Sequence, residues 1–314
     1  MAIWLAETLE LEHTASAGSI ALLTLVSTKW GTVKLSLYRL ITFVISVILS
    51  LLCFELITSQ WIAVGVYVFL VGLICELSGW RSTISVNVLI GLHFLLFQDF
   101  SWKFIYNEFM LVLIGIALAF VLNLFHDNQN QKHMIEKSMR YSEEQLQMIL
   151  KETAEYLLNE ETERSVWADI DALESQLDEF KQEAHEYQDN TFYSHPEYYI
   201  RYFDMRMEQC IILNNLHDNL KKLRSIPKQA GMIAEYMIYL ADYVIEINIP
   251  GKQLDRLHQI FEDMRAEALP VTREEFENRA LLYHVLMDLE DFLMAKAEFV
   301  NGMDQVQKKT YWEK

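Results

Sequence analysis

Cysteine, glycine and basic residues are all scarce in this chain of 314 residues, and each scarcity removes a class of function. The three cysteines, Cys53, Cys75 and Cys210, show no metal-ligand spacing and no sign of an oxidised framework. Only Gly231, Gly251 and Gly302 follow residue 125, and no Gly-x-x-x-x-Gly-Lys, His-Glu-x-x-His or Gly-x-Ser-x-Gly pattern occurs in that stretch. An ATP-driven pump in one chain is therefore excluded. No enzyme, cofactor or metal is expected, and the His126, Asp127 and His133 group reads as a solvated linker. With 26 Lys and Arg against 44 Asp and Glu, the net charge is −18. The basic residues are scattered rather than striped, so nucleic acid is not an expected partner.

What the chain does have is a division. Residues 1–125 carry five basic and seven acidic residues, a net of −2, which leaves 21 basic and 37 acidic residues, a net of −16, for residues 126–314. The mean hydropathy of +0.09 averages a very apolar block with a very polar one. The expected fold is all-α: a polytopic membrane domain over 1–125 and a cytoplasmic helical bundle over 126–314.

Apolar stretches at Leu40 to Ile57, Trp61 to Leu77 and Phe104 to Phe125 are long enough, at about 1.5 Å per residue, to cross about 30 Å of hydrocarbon or nearly so. Ala17 to Val26 and Ile84 to Phe97 are shorter than a full span and read as short, broken or re-entrant helices that need protein neighbours. Met1 to Leu9 reads as the last two turns of a helix whose beginning is missing; the signal-peptide alternative lacks a basic n-region. The total is about six segments. Lys29, Lys34 and Arg39 are placed between segments two and three, Arg81 between four and five, and Lys132, Lys137 and Arg140 after six. Only Lys103 falls on the other side, so both termini are expected in the cytoplasm of a multi-pass plasma-membrane protein. Trp30 and Trp80 then mark the inner boundary, Trp61 and Trp102 the outer one.

An anchor needs one helix, and polar groups in hydrocarbon face a bundle interior or a cavity. Asn87, His93, Glu108 and Asn123 within apolar segments therefore favour a pathway over a plain anchor. Glu55 and Glu76, a turn from their segment ends, read as interfacial. His93, with Gly91 two residues away, is the leading ionisable candidate, against the alternative of a histidine bonded to a neighbouring helix.

Beyond the polar exit His126–Gln131 the pattern is helical, with all four prolines in this part. Val166, Ile170, Leu173, Leu177, Phe180, Ala184 and Tyr187 form a narrow seam of coiled-coil type. The spacing returns at Ile233, Met237, Leu240, Val244, Ile247 and at Leu254, Leu257, Phe261, Met264, Ala268. Capping boxes are expected at Ser194 to Glu197 and Thr272 to Glu275. The helices expected run roughly 130–158, 162–188, 195–224, 228–248, 252–268 and 273–300. In Tyr198-Tyr199-Ile200-Arg201-Tyr202-Phe203-Asp204-Met205-Arg206, aromatics and two arginines share helix faces. The group reads either as packing, with Arg stacked on rings or paired with acids, or as a carboxylate-binding patch formed by Tyr199, Arg201, Tyr202 and Arg206.

Those residues, with Gln209, and Pro270-Val271-Thr272-Arg273-Glu274-Glu275-Phe276-Glu277-Asn278-Arg279-Ala280 resemble the bacterial aromatic acid exporter family (type 1) with its C-terminal cytoplasmic domain. In the first block the resemblance is carried by Ser16 to Thr24, Ser27-Thr28-Lys29 ahead of Lys34 and Arg39, His93-Phe94-Leu95, Asn107-Glu108, Ile114-Gly115 and Asn123-Leu124. It implies a six-helix membrane unit related to the larger fusaric acid resistance exporters, followed by a cytoplasmic helical domain. A chain with half of their membrane helices is expected to form a homodimer. The function expected is secondary export of small aromatic or other organic anions. Lys34, Arg39 or Arg81 would meet the charge at the inner mouth, Asn87 and His93 would line the path, and Glu108 would be the coupling candidate. The alternative is a membrane-bound scaffold or sensor whose soluble bundle docks a partner.

Overall fold

The computed structural model describes residues 1–25, 28–124, 128–158, 166–191 and 197–313. It is helical, with no strand among the described residues. The chain divides into two compact units, residues 1–127 with 189–192, and residues 128–188 with 193–314.

The first unit contains α1 (Ala2–Thr8), α2 (Ala15–Thr24), α3 (Lys29–Leu56), α4 (Gln60–Leu77), a 3-10 turn (Arg81–Thr83), α5 (Ile84–Phe97) and α6 (Trp102–Leu124). Three of these, α3, α4 and α6, are long and apolar enough to cross a membrane, and α2 and α5 are short apolar helices. One expectation fails at α3, which begins eleven residues before Leu40. Thr28 stops the preceding chain and caps the helix, its hydroxyl accepting from the Gly31 amide at 3.1 Å. Lys29, Lys34 and Arg39 therefore lie on a helix and not in a loop, because scattered cations do not interrupt a good helix former.

Helix α3 is inside out by the standards of a water-soluble helix. Its buried face is Thr32, Ser36, Arg39, Thr42, Phe43, Ser46, Ser50 and Cys53, while Leu37, Ile41, Val44, Ile48 and Leu52 are exposed. An apolar surround accounts for this: small polar residues let helices approach and bond one another, and leucine loses nothing by facing hydrocarbon. Trp30, Trp61 and Trp102 are exposed as well. Helix α5 packs on α3 and α4, and α2 on α6. Gly91 permits the first of these contacts, since a Cβ there would run into the Tyr67 ring. The close approach lets the Tyr67 hydroxyl donate to the Asn87 carbonyl at 2.6 Å.

The second unit contains α7 (Asn128–Leu157), α8 (Val166–Asn190), α9 (Glu197–Leu220), α10 (Ala230–Ala241), α11 (Gly251–Ala266) and α12 (Arg273–Asn301). Then come a short helical turn, α13 (Gln305–Gln307), and one π-helical turn, Lys308–Trp312. The long core runs through all six helices, with α9 against α12 and α7 against α10. Six of the seven residues of the α8 seam are buried and Phe180 is partly so. Three expected helices end early, the first being α9, which stops at Leu220 rather than near 224. Helix α10 stops at Ala241, which leaves Val244 outside it and Ile247 exposed, because the chain must turn before Pro250, the cap of α11. Helix α11 stops at Ala266, so Ala268 is exposed. At Thr272 the hydroxyl accepts from the Glu275 amide at 3.1 Å, but Glu275 reaches back to the amide of Val271 at 2.9 Å rather than to that of Thr272. The box expected at Ser194, together with His126 and Asp127, lies outside the described residues; His133 is exposed on α7. The final turns after residue 302 were not expected.

Candidate functional site

The last turn of α2 leaves carbonyl groups that no further helix satisfies. Arg39, reaching across from α3, covers them: Nη2 donates to the Leu23 oxygen at 2.6 Å and Nη1 to the Ile20 oxygen at 3.3 Å. Its side chain is 1% exposed, its Nε has no hydrogen-bond partner, and among the described residues no carboxylate lies within 4 Å of it. A cation held this way is only partly compensated, because a helix C-terminus offers about half a negative charge. Ser36 Oγ and Ser46 Oγ on the same face of α3, and Asn87 Oδ1 on α5, are also buried without a partner. The remaining polar groups on that face are satisfied locally: Ser50 donates to the Ser46 oxygen at 2.7 Å, and Asn123 donates to the Thr32 hydroxyl at 2.6 Å. Buried polar atoms are normally paired, so four unspent ones on α3 and α5 mark a lane able to take water or the polar groups of a solute.

A second cluster joins α5 to α6. His93 Nδ1–H donates to Glu108 Oε2 at 2.8 Å, with Glu108 1% exposed, and His93 Nε2 lies 3.4 Å from Ser16 Oγ. The His13 ring stands 4.8 Å from His93 and stacks on Phe97 at 4.4 Å. His13 takes a left-handed backbone conformation, φ 57°, in the turn before α2. Asn107 fixes that turn, accepting from the Glu12 amide at 2.7 Å and donating to its oxygen at 3.1 Å.

The aromatic and arginine motif folds into the interior of the second unit. Arg206, 1% exposed, donates to Glu143 at 3.0 Å, to the Tyr202 hydroxyl at 3.0 Å and to Gln209 at 2.9 Å. Burial pulls the guanidinium down, and Tyr202 and Glu143 more than offset it, holding it above its ordinary value. All its edges are engaged by the protein, so Arg206 acts as a core strut between α7 and α9. Arg201 donates to the Gly302 oxygen at 2.8 Å, and Tyr199 is buried against Tyr187.

The residues singled out in the sequence thus separate. Arg39 and Asn87 border the α3 lane, and His93 and Glu108 meet in the second cluster. Lys34 is exposed, its ammonium 5.9 Å from the Tyr38 ring, and Arg81 is exposed and bidentate to Glu76. The structure adds Ser36, Ser46 and Tyr67 along the lane and His13 and Ser16 beside His93. A polar residue recurring every three or four residues, Thr32, Ser36, Arg39, Thr42, Ser46 and Ser50, is a readable signal for the former. Nothing local marks His13.

Two family profiles match the chain. "Aromatic acid exporter family member 1" covers residues 1–126, and the aromatic acid exporter C-terminal domain covers residues 132–297. The uncharacterized protein YqjA of Bacillus subtilis (strain 168) is 28% identical over 299 residues, which is 95% of this chain and 92% of the relative. A crystal structure from Clostridium difficile 630, titled as a membrane protein candidate, is 27% identical, with a TM-score of 0.47, over 53% of this chain and 99% of its own. With both of its characteristic parts present in order, the chain belongs to the type 1 aromatic acid exporter family and is a membrane protein.

Proposed function

We propose that the protein exports small aromatic carboxylates across the plasma membrane by secondary transport, with Arg39 as the residue that meets the substrate's charge. The observation that carries this reading is the buried guanidinium of Arg39, held by two carbonyl oxygens, with an unspent Nε and no carboxylate near it among the described residues. A substrate carboxylate supplies the missing counter-charge in fork geometry. Ser36, Ser46 and Asn87 continue the polar lane along α3, and exposed apolar residues face the lipid. Glu108, bonded to His93 with His13 beside it, is the coupling candidate. In this reading the basic residues lie toward the cytoplasm, with both termini and the second unit on that side.

The test is retention of labelled aromatic and aliphatic carboxylates in cells that lack the gene and carry it back as wild type, Arg39→Gln or Arg39→Lys. Wild type should lower retention of the aromatic acids selectively. Arg39→Gln should lose at least tenfold in efflux rate at equal membrane abundance, with partial recovery in Arg39→Lys. Efflux by Arg39→Gln at the wild-type rate would remove Arg39 from the pathway, and equal retention with and without the gene would remove export altogether.

A further inference from the structure

Beneath the last turns of the second unit lies a group of side chains that the transport reading leaves unused. Lys296, near the end of α12, is 4% exposed, and its ammonium donates to the Glu246 backbone oxygen at 2.6 Å. It lies 5.2 Å from the Phe299 ring centre and 5.5 Å from that of Trp312. Among the described residues no carboxylate oxygen comes within 4 Å of it, so beyond the Glu246 backbone oxygen its near neighbours are rings rather than carboxylates. The Glu246 carboxylate is turned instead to Tyr198, whose hydroxyl donates to it at 2.6 Å and accepts from the Trp312 indole N–H at 3.1 Å.

The group is covered by the turns that follow α12. Asp304 and Gln307 form a capping box, and Lys308–Trp312 make a single π-helical turn with Val306, Lys309 and Thr310 exposed. It meets the bundle through Tyr311, stacked on Tyr198 at 4.0 Å and 6° between planes, and through the Trp312 indole. Met303 and Gln307 are buried beside them. Trp312 therefore gives the group a flat ring and an N–H for the Tyr198 oxygen, but no negative charge for the ammonium.

We propose that the space Trp312 fills against Lys296, Tyr198 and Phe299 is a binding site for a small aromatic monocarboxylate, which displaces the chain's own Trp312. The ligand's ring takes the place of the indole, and its carboxylate pairs with the Lys296 ammonium. No bond is made or broken. Burial, with the Arg206 charge adding to it, lowers the Lys296 pKa to about 7. The other charged groups facing it are Glu246, Glu143 and Arg206, the last two paired with each other. Anion binding therefore weakens as pH rises through 7, when the ammonium is lost. The site is separate from the α3 lane and stands whether or not the membrane unit exports anything.

The probe is indole-3-acetate, which carries the Trp312 ring with a carboxylate, titrated calorimetrically into the full chain in detergent at pH 6.5. All variants are made in an Arg39→Gln background, which takes the α3 lane out of the titration; Trp312→Ala should then bind it at least tenfold more tightly than Arg39→Gln alone. Indole without the carboxylate should bind at least tenfold more weakly, and Trp312→Ala combined with Lys296→Met should lose binding. In wild-type protein labelled with 5-fluorotryptophan, the resonance that disappears in Trp312→Phe should move to an exposed position as probe is added. That measurement needs no destabilising variant. A Trp312 resonance unmoved at millimolar probe would overturn the proposal. Affinity that survives Lys296→Met, or indole binding equal to indole-3-acetate, would also overturn it.

Discussion

Lys296 shows how a single residue can set the pH response of a unit. Its pKa of about 7 in the folded chain lies below the 10.5 of an exposed lysine. Between those values the unfolded chain holds more protons, so stability rises with pH, by up to about 1.4 kcal/mol per pH unit for one group. Lys296→Met removes that slope. The expected outcome is a variant more thermally stable than wild type at pH 6.5, with the advantage shrinking toward pH 9.5, read from melting curves at both pH values. An advantage independent of pH would show that Lys296 is not buried as a cation. At this scale the sequence was half legible. Arg39, Asn87, His93 and Glu108 stand out because a polar group in an apolar run has few reasons to be there. Lys296 and Glu143 sit in a charged helical stretch, where nothing distinguishes a buried lysine or glutamate from its solvated neighbours. The Arg206 motif was visible, but its occupation by Glu143, sixty-three residues away, was not.

Helices are set by their ends as much as by their faces. Thr272 caps α12, the helix that packs along α9 and carries Lys296. Thr272→Ala should cost about 1 kcal/mol, a fall of a few degrees in melting temperature, and Thr272→Ser should restore most of it. A melting temperature unchanged in Thr272→Ala would mean that neighbouring helices alone hold that end. Apolar periodicity placed the helices of the second unit because core contacts recur every three or four residues. It overran α10, where Val244 is buried from a turn and so continued a pattern the backbone had already left. It cut α3 short for the opposite reason, since hydropathy registers the start of hydrocarbon and not the cap at Thr28.

For the whole molecule, composition separated an apolar part from a polar one because their surrounds differ, but no sequence pattern reports how many copies assemble. We expect a homodimer. Light scattering in detergent should give a protein mass about twice 36.9 kDa; a monomer mass at every concentration would exclude it. One contact also bears on how the chain is made. The carbonyl groups at the end of α2 are covered by Arg39, which the ribosome adds sixteen residues after Leu23. Helix α2 cannot complete its own end until α3 lies beside it, so the two helices settle as a pair rather than one after the other.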